Sequence, residues 1–168
     1  MNSQILSKQR TALAMLLLVL SAPIVLAQAN NVPFKGAYDG RESGVVQGGS
    51  LLVDGSGSGT ASHVGRFTYT WKTTVDLATG LSAGGVFQLV AANGDVINGS
   101  FVGRGMPTDA PNVHHIIELM SITGGTGRFQ GATGGFTMDR LVDQTTLPAF
   151  ASTSGSFKGT ISTPGSTK

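Results

Sequence analysis

The chain has 168 residues, with 11 Lys or Arg against 9 Asp or Glu, 25 glycines and no cysteine. The lack of cysteine excludes a disulfide-stapled scaffold and thiolate metal sites, and the lack of a basic run argues against a nucleic-acid surface. After an apolar amino-terminal segment no helical period is present. Glycines instead separate strand-length segments, a pattern typical of all-β sandwiches and barrels.

Residues 1–29 are predicted to be a signal peptide. Lys8 and Arg10 form a positive region, residues 11–26 are apolar, and Ala27-Gln28-Ala29 fits an A-x-A site with cleavage after either alanine. A membrane anchor is the competing interpretation, but about sixteen apolar residues fall short of the roughly twenty that span a bilayer. We therefore expect a nearly neutral mature protein that is secreted or periplasmic and has no stable membrane anchor.

Residues 30–168 are predicted to form one antiparallel β-barrel domain of about eight strands. The clearest strand covers residues 66–77, where alternate residues are expected to face the interior: Phe67, Tyr69, Trp71, Thr73, Val75 and Leu77. Asn93-Gly94 indicates a type I′ hairpin turn. Eight strands can close around an interior that side chains or one small ligand fill. The predicted strands cover residues 34–40, 45–54, 66–77, 85–92, 96–103, 113–123, 134–142 and 153–162.

A glycine-rich motif joins the two strands at 113–123 and 134–142. A dinucleotide-binding turn that starts from Gly125 and Gly127 would need its third glycine at Gln130, so no cofactor is predicted. The motif is instead predicted to be structural, with Gly125 and Gly127 at positive φ and Phe129 filling the barrel end. The residues assigned to it are Gly124, Gly125, Gly127, Arg128, Phe129, Gly131 and Gly134.

This motif resembles the GGTGRFxGAxG signature of the allene oxide cyclase barrel-like and dirigent-like proteins. Residues 33–36, 59–68, 91–95 and 155–161 are similar to exported bacterial members of that group. The resemblance implies an eight-stranded calycin-like barrel with an apolar cavity. Plant cyclases isomerise an unsaturated fatty-acid epoxide in such a barrel, and dirigent proteins steer the coupling of phenoxy radicals. No residue-by-residue match to the plant catalytic pockets is found, so neither activity is carried over.

Glu118 is the most interesting acid, because it lies in the apolar run 116–120. A strand that buries one carboxylate there offers an acid, a base or a ligand anchor, with Arg140 as its partner across the barrel. The alternative is that residue 118 faces solvent. His63 and Arg66 are candidates for anion binding or proton transfer, against the alternative that they serve a turn and the solvated face.

Trp71 and Tyr69 complete the candidate ligand-binding residues, as aromatic groups of the interior. No metal site is predicted, because the neighbours His114 and His115 point to opposite faces of a strand. No catalytic constellation is found either. We expect a non-enzymatic barrel that binds a small apolar molecule or serves as a structural or surface module. The alternative is an isomerase or cyclase acting on a lipid-like substrate, and both a monomer and a homo-oligomer stay open.

Overall fold

The computed structural model describes residues 30–146 and 150–163. They form a closed antiparallel barrel of eight strands, each paired with its neighbours in sequence, and β1 pairs with β8 to close it. This confirms the predicted fold class, while the predicted signal peptide lies outside the described residues. No helix in the described part is long and apolar enough to cross a membrane. The strands are β1 (Asn30–Gln47), β2 (Ser50–Ala61), β3 (Gly65–Asp76), β4 (Leu81–Ala91), β5 (Val96–Pro107), β6 (Val113–Gly125), β7 (Gly134–Asp143) and β8 (Ala151–Thr163).

The two barrel ends differ. We call the end that carries the β1–β2, β3–β4 and β5–β6 turns the open end. The other end, which carries the β6–β7 connection, is called the closed end, because Phe129 of a 3-10 helix at Gly127–Phe129 is buried there. This single helical turn is the only helix in residues 30–146 and 150–163.

Strand β3 shows how the alternation sets the core. Phe67, Tyr69 and Trp71 are all at most 5% exposed, which confirms that this face points inward. The prediction for Leu77 was wrong, since this side chain is 50% exposed. The reason is that β3 ends at Asp76, so residue 77 belongs to a turn and no longer follows the pleat.

The predicted strand at 45–54 was wrong, because a hairpin turn divides it. Gly48 and Gly49 take φ values of 57° and 83° and join β1 to β2. Two consecutive positive-φ residues are what a type I′ turn requires. The apolar residues on either side of this Gly-Gly pair therefore belong to two antiparallel strands.

The type I′ turn predicted at Asn93-Gly94 was also wrong. Only Gly94 has a positive φ, of 88°. The Ala91 N–H donates to the Asp95 carbonyl at 2.8 Å, and the Gly94 N–H donates to the Ala91 carbonyl at 2.9 Å. Four residues rather than two thus separate β4 from β5, and a longer loop needs only one left-handed glycine.

The seam between β1 and β8 explains a repeated tripeptide. Phe34 lies opposite Gly159, and Gly36 lies opposite Phe157. A Cβ on Gly36 would come within 2.6 Å of the Phe157 ring, and the rings of Phe34 and Phe157 are 5.0 Å apart. The Phe-Lys-Gly sequence occurs once in each strand because a large ring on one strand needs an empty position on the other.

Aromatic rings fill the half of the barrel near the closed end. Phe136 is central, with ring centroids 5.3 Å from Phe34, 4.9 Å from Phe157 and 5.6 Å from Phe87. Tilted and edge-to-face pairs at these distances stabilise beyond the area that they bury. The ligand-sized space therefore has to lie nearer the open end.

The glycine motif builds the closed end. Phe129 is 1% exposed, so its ring is buried as expected of a plug, and Gly127 has a φ of 56° as predicted. The predicted positive φ at Gly125 was wrong. Gly125 is instead needed because the Phe129 side chain packs close to its backbone, where a Cβ would lie 2.9 Å from the Phe129 Cβ. The remaining positive-φ glycines of the motif are Gly124, Gly131 and Gly134.

Arg128 ties the loops of the closed end together. Its guanidinium donates to the Val64 carbonyl at 3.2 Å and lies 3.2 Å from the Asp95 carboxylate. The three loops that precede β3, β5 and β7 are thus joined by one side chain. This supports a structural role for Arg128.

Replacement of Gly127 by alanine is expected to lower the free energy of unfolding by about 1 kcal/mol or more. Alanine would be held at a positive φ, and its Cβ would collide with the Asp95 carboxylate. Urea denaturation measures the change. The matched control is Gly84→Ala, because Gly84 has no positive φ and no atom within 4 Å of its would-be Cβ. Equal denaturation midpoints for the two variants would contradict the structural interpretation of the motif.

Candidate functional site

A cavity of about 390 Å³ enters the barrel from the open end. Ligand pockets in proteins start at roughly 300 Å³, so one small molecule fits. Most of its wall is apolar, and the deepest residues are charged. The apolar lining includes Leu51, Val53, Val75, Leu77, Ala78, Met106, Pro107, Ile116 and Val142.

The cavity floor is a network of one arginine and two glutamates. Arg140 Nε and Nη2 donate to the two carboxylate oxygens of Glu118, at 3.2 and 3.0 Å. Nη1 donates to Glu42 Oε2 at 2.8 Å and to the Thr153 hydroxyl at 3.2 Å. The side chains of Arg140, Glu118 and Glu42 are 5%, 4% and 11% exposed. Glu118 is therefore held by both oxygens, and Glu42 is the acid more open to the cavity.

Glycines on neighbouring strands make room for this network. Gly103 lies opposite Glu118, and its Cβ would come within 2.7 Å of the Glu118 Cγ. Gly155 lies opposite Arg140, and its Cβ would come within 2.5 Å of the Arg140 Cβ. The glycines of β5 and β8 thus allow long polar side chains to cross a narrow interior.

Aromatic side chains lie beneath the network. The Arg140 Cζ is 5.7 Å from the centre of the Trp71 ring, a cation–π distance, and Tyr69 stacks on Trp71 at 4.9 Å. Burial on its own would lower the pKa of Arg140. The attraction of Glu118 and Glu42 outweighs this and raises that pKa above its ordinary value, so the guanidinium stays charged.

Burial has a testable consequence for Tyr38 and Tyr69, the two tyrosines of the chain. It raises the pKa of both phenols well above the ordinary value of 10.0. Their phenols keep their protons in the folded state at a pH where the unfolded state loses them. The contribution to stability is therefore full below pH 10.0 and falls as the pH rises further.

We expect a titration of phenolate ultraviolet absorbance to show no step near pH 10.0 in the folded protein. The same chain in denaturant should show both tyrosines ionising there, which is the internal control. A phenolate step at that pH with an intact β-sheet circular dichroism spectrum would contradict the buried position of at least one ring.

Of the six residues predicted for ligand binding, only Glu118 and Arg140 line the cavity. Trp71 and Tyr69 pack beneath Arg140 and do not reach the cavity wall. The structure does not bring His63 and Arg66 to this site. Both lie at the closed end, His63 in the turn between β2 and β3 with a φ of 63°, and both are exposed. Their prediction as ligand-binding residues was wrong because of the direction of β3. This strand begins at the closed end, near His63 and Arg66, and reaches the cavity only at its other end.

Sequence reasoning missed Glu42 and Thr153. The predicted first strand ended at Gly40, whereas β1 continues to Gln47. The sequence does contain an indication of Glu42. Phe34, Tyr38 and Glu42 are separated by even numbers of residues, so in one continuous strand all three side chains point inward. Because Glu42 is charged, the alternation of apolar residues ends before it, and the predicted strand ended there too.

The cavity, its apolar wall and its charged floor define what the site can do. It can enclose an apolar body and present carboxylate oxygens to a polar group at the far end. Comparison with protein-family models, curated proteins and solved structures finds no match for this chain. The function therefore has to be argued from the geometry of this site.

Proposed function

We propose that this chain is an exported binding protein that holds one small, largely apolar molecule in the cavity at the open end of the barrel. The observation that supports the proposal most directly is that one half of the barrel interior is filled and the other half is not. Aromatic rings fill the half near the closed end, while the other half keeps about 390 Å³ with mostly apolar walls. A purely structural barrel gains stability from filling such a space.

Export and family membership are part of the same proposal. The pattern of residues 1–29 supports export through a cleaved signal peptide. The Gly-Gly-Thr-Gly-Arg-Phe sequence at 124–129 supports kinship with the allene oxide cyclase barrel-like proteins. A closed barrel of eight strands is the fold that this resemblance implies.

An isomerase or cyclase acting on a lipid-like substrate is the second candidate. Glu42 favours it, because this carboxylate lines the cavity and only its Oε2 accepts a hydrogen bond from the described residues. A carboxylate with a free oxygen can act as a general base. Glu118 is less suited to that role, because Arg140 engages both of its oxygens.

Binding of octanol, followed by the fluorescence of the single tryptophan Trp71, tests the first proposal. The Val75→Phe variant is expected to bind octanol at least about tenfold more weakly than wild type, because a larger ring takes up cavity space. Val86→Phe is the matched control, since Val86 lies on the outer face of β4 and is 57% exposed. It should bind like wild type.

Two results decide between the functions. Absence of octanol binding to wild type, or equal weakening by both variants, contradicts binding in this cavity. Turnover of an unsaturated fatty-acid epoxide that is lost in Glu42→Gln would support the second candidate. Binding without turnover supports the first.

A further inference from the structure

The charges at the cavity floor do not balance. Glu42 and Glu118 contribute two carboxylates, and Arg140 contributes one guanidinium that contacts both. With all three groups ionised, the floor carries one net negative charge. A buried charge that lacks a full counter-charge is costly in the protein interior.

No other Lys, Arg or His of the described residues contacts either glutamate, although His114 also lines the cavity. Within residues 30–146 and 150–163, Arg140 is the only cation within 4.0 Å of either glutamate. Arg104 also lines the cavity, but it is exposed on the outward-facing side of β5. The neighbouring phenols of Tyr38 and Tyr69 stay neutral, because burial raises their pKa.

One carboxylate oxygen at the floor is left for a ligand. Glu42 Oε2 accepts from Arg140, whereas Glu42 Oε1 accepts no hydrogen bond from the described residues. The Glu42 side chain is more exposed than that of Glu118, at 11% against 4%, and it lines the cavity. An incoming donor therefore meets Glu42 first.

We propose that the cavity takes an amphipathic amine, with its ammonium group on Glu42 and its apolar body against Leu51, Val53, Val75 and Ile116. This inference rests on the proposed binding function. An ammonium group would bring the floor to two cations and two anions. A charge-assisted N–H···O bond is about twice as strong as a neutral one. A fatty carboxylate would instead be a third anion beside two others.

Octylamine, octanol and octanoate test the inference, because they share one apolar chain and differ only in the head group. Calorimetric titration at neutral pH should show octylamine binding at least about tenfold more tightly than octanol. Octanoate should bind most weakly. The Glu42→Gln variant should lose this preference and bind octylamine no more tightly than octanol, since the ammonium group has lost its charged partner.

The outcomes separate the inference from the function on which it rests. Equal binding of the three probes by wild type overturns the amine inference and leaves cavity binding intact. Tightest binding of octanoate also overturns it and favours a lipid acid as the ligand. Failure of all three probes to bind overturns the binding function itself. The comparison of the three probes on the wild-type protein tests the amine inference even if the Glu42→Gln variant does not fold.

Discussion

The Arg140→Leu variant is expected to lose about 3–5 kcal/mol of its free energy of unfolding at neutral pH. Arg140 is the shared partner of Glu118 and Glu42, and its side chain is 5% exposed. Removal of the guanidinium leaves two largely buried carboxylates close together without a counter-charge. The large effect thus comes from the charges left behind rather than from the loss of an especially stabilising ion pair. Urea denaturation of the purified protein measures it.

The matched control for this variant is Arg66→Leu, because Arg66 is an exposed arginine on the outer face of β3. A change within about 0.5 kcal/mol is expected there. The double variant Arg140→Leu with Glu118→Leu should be more stable than Arg140→Leu alone, since it removes the more deeply buried of the two unpaired acids. If Arg140→Leu unfolds at the same urea concentration as wild type, the described network is contradicted.

Phe129→Ala is the second substitution with a large expected effect, a loss of about 3–5 kcal/mol. The ring is 1% exposed and closes the barrel end, with Arg128 lying 4.9 Å from its centre. Its truncation leaves a cavity that a closed barrel cannot collapse to fill, because the hydrogen bonds of eight strands hold the wall in place. The loss is measured by urea denaturation.

Phe150→Ala serves as the control, because Phe150 is a phenylalanine that is only half-buried. Its cost should be clearly smaller than that of Phe129→Ala. Neither variant should respond to nucleotide. A near-normal denaturation midpoint for Phe129→Ala, together with loss of binding to a phosphate-bearing ligand, would identify the glycine motif as a phosphate cradle.

Much of the fold follows from local properties of the sequence. Alternation over residues 66–77 defines which face of β3 is buried, apart from Leu77 at its end. Glycine spacing predicts about eight strands, and the glycine motif predicts the plug at Phe129. These features can be predicted from the sequence because side chains of a pleated strand alternate between its two faces every two residues, and because only glycine adopts positive φ without strain. Strand ends were predicted less accurately, as residues 45–54 show, because one apolar run can belong to two strands.

The cavity floor depended on the tertiary structure. Glu42 and Arg140 are 98 residues apart in sequence, and no local pattern relates them. They meet because β1 closes on β8, and β8 in turn pairs with β7, which places Arg140 opposite Gly155. The alternation around residue 118 did not decide whether the Glu118 side chain points into the barrel or towards solvent. By itself the sequence determined the strand count, the buried face of β3 and the closed end. Only barrel closure and its register decided which polar side chains face one another, because pairing between distant strands is a property of the whole barrel.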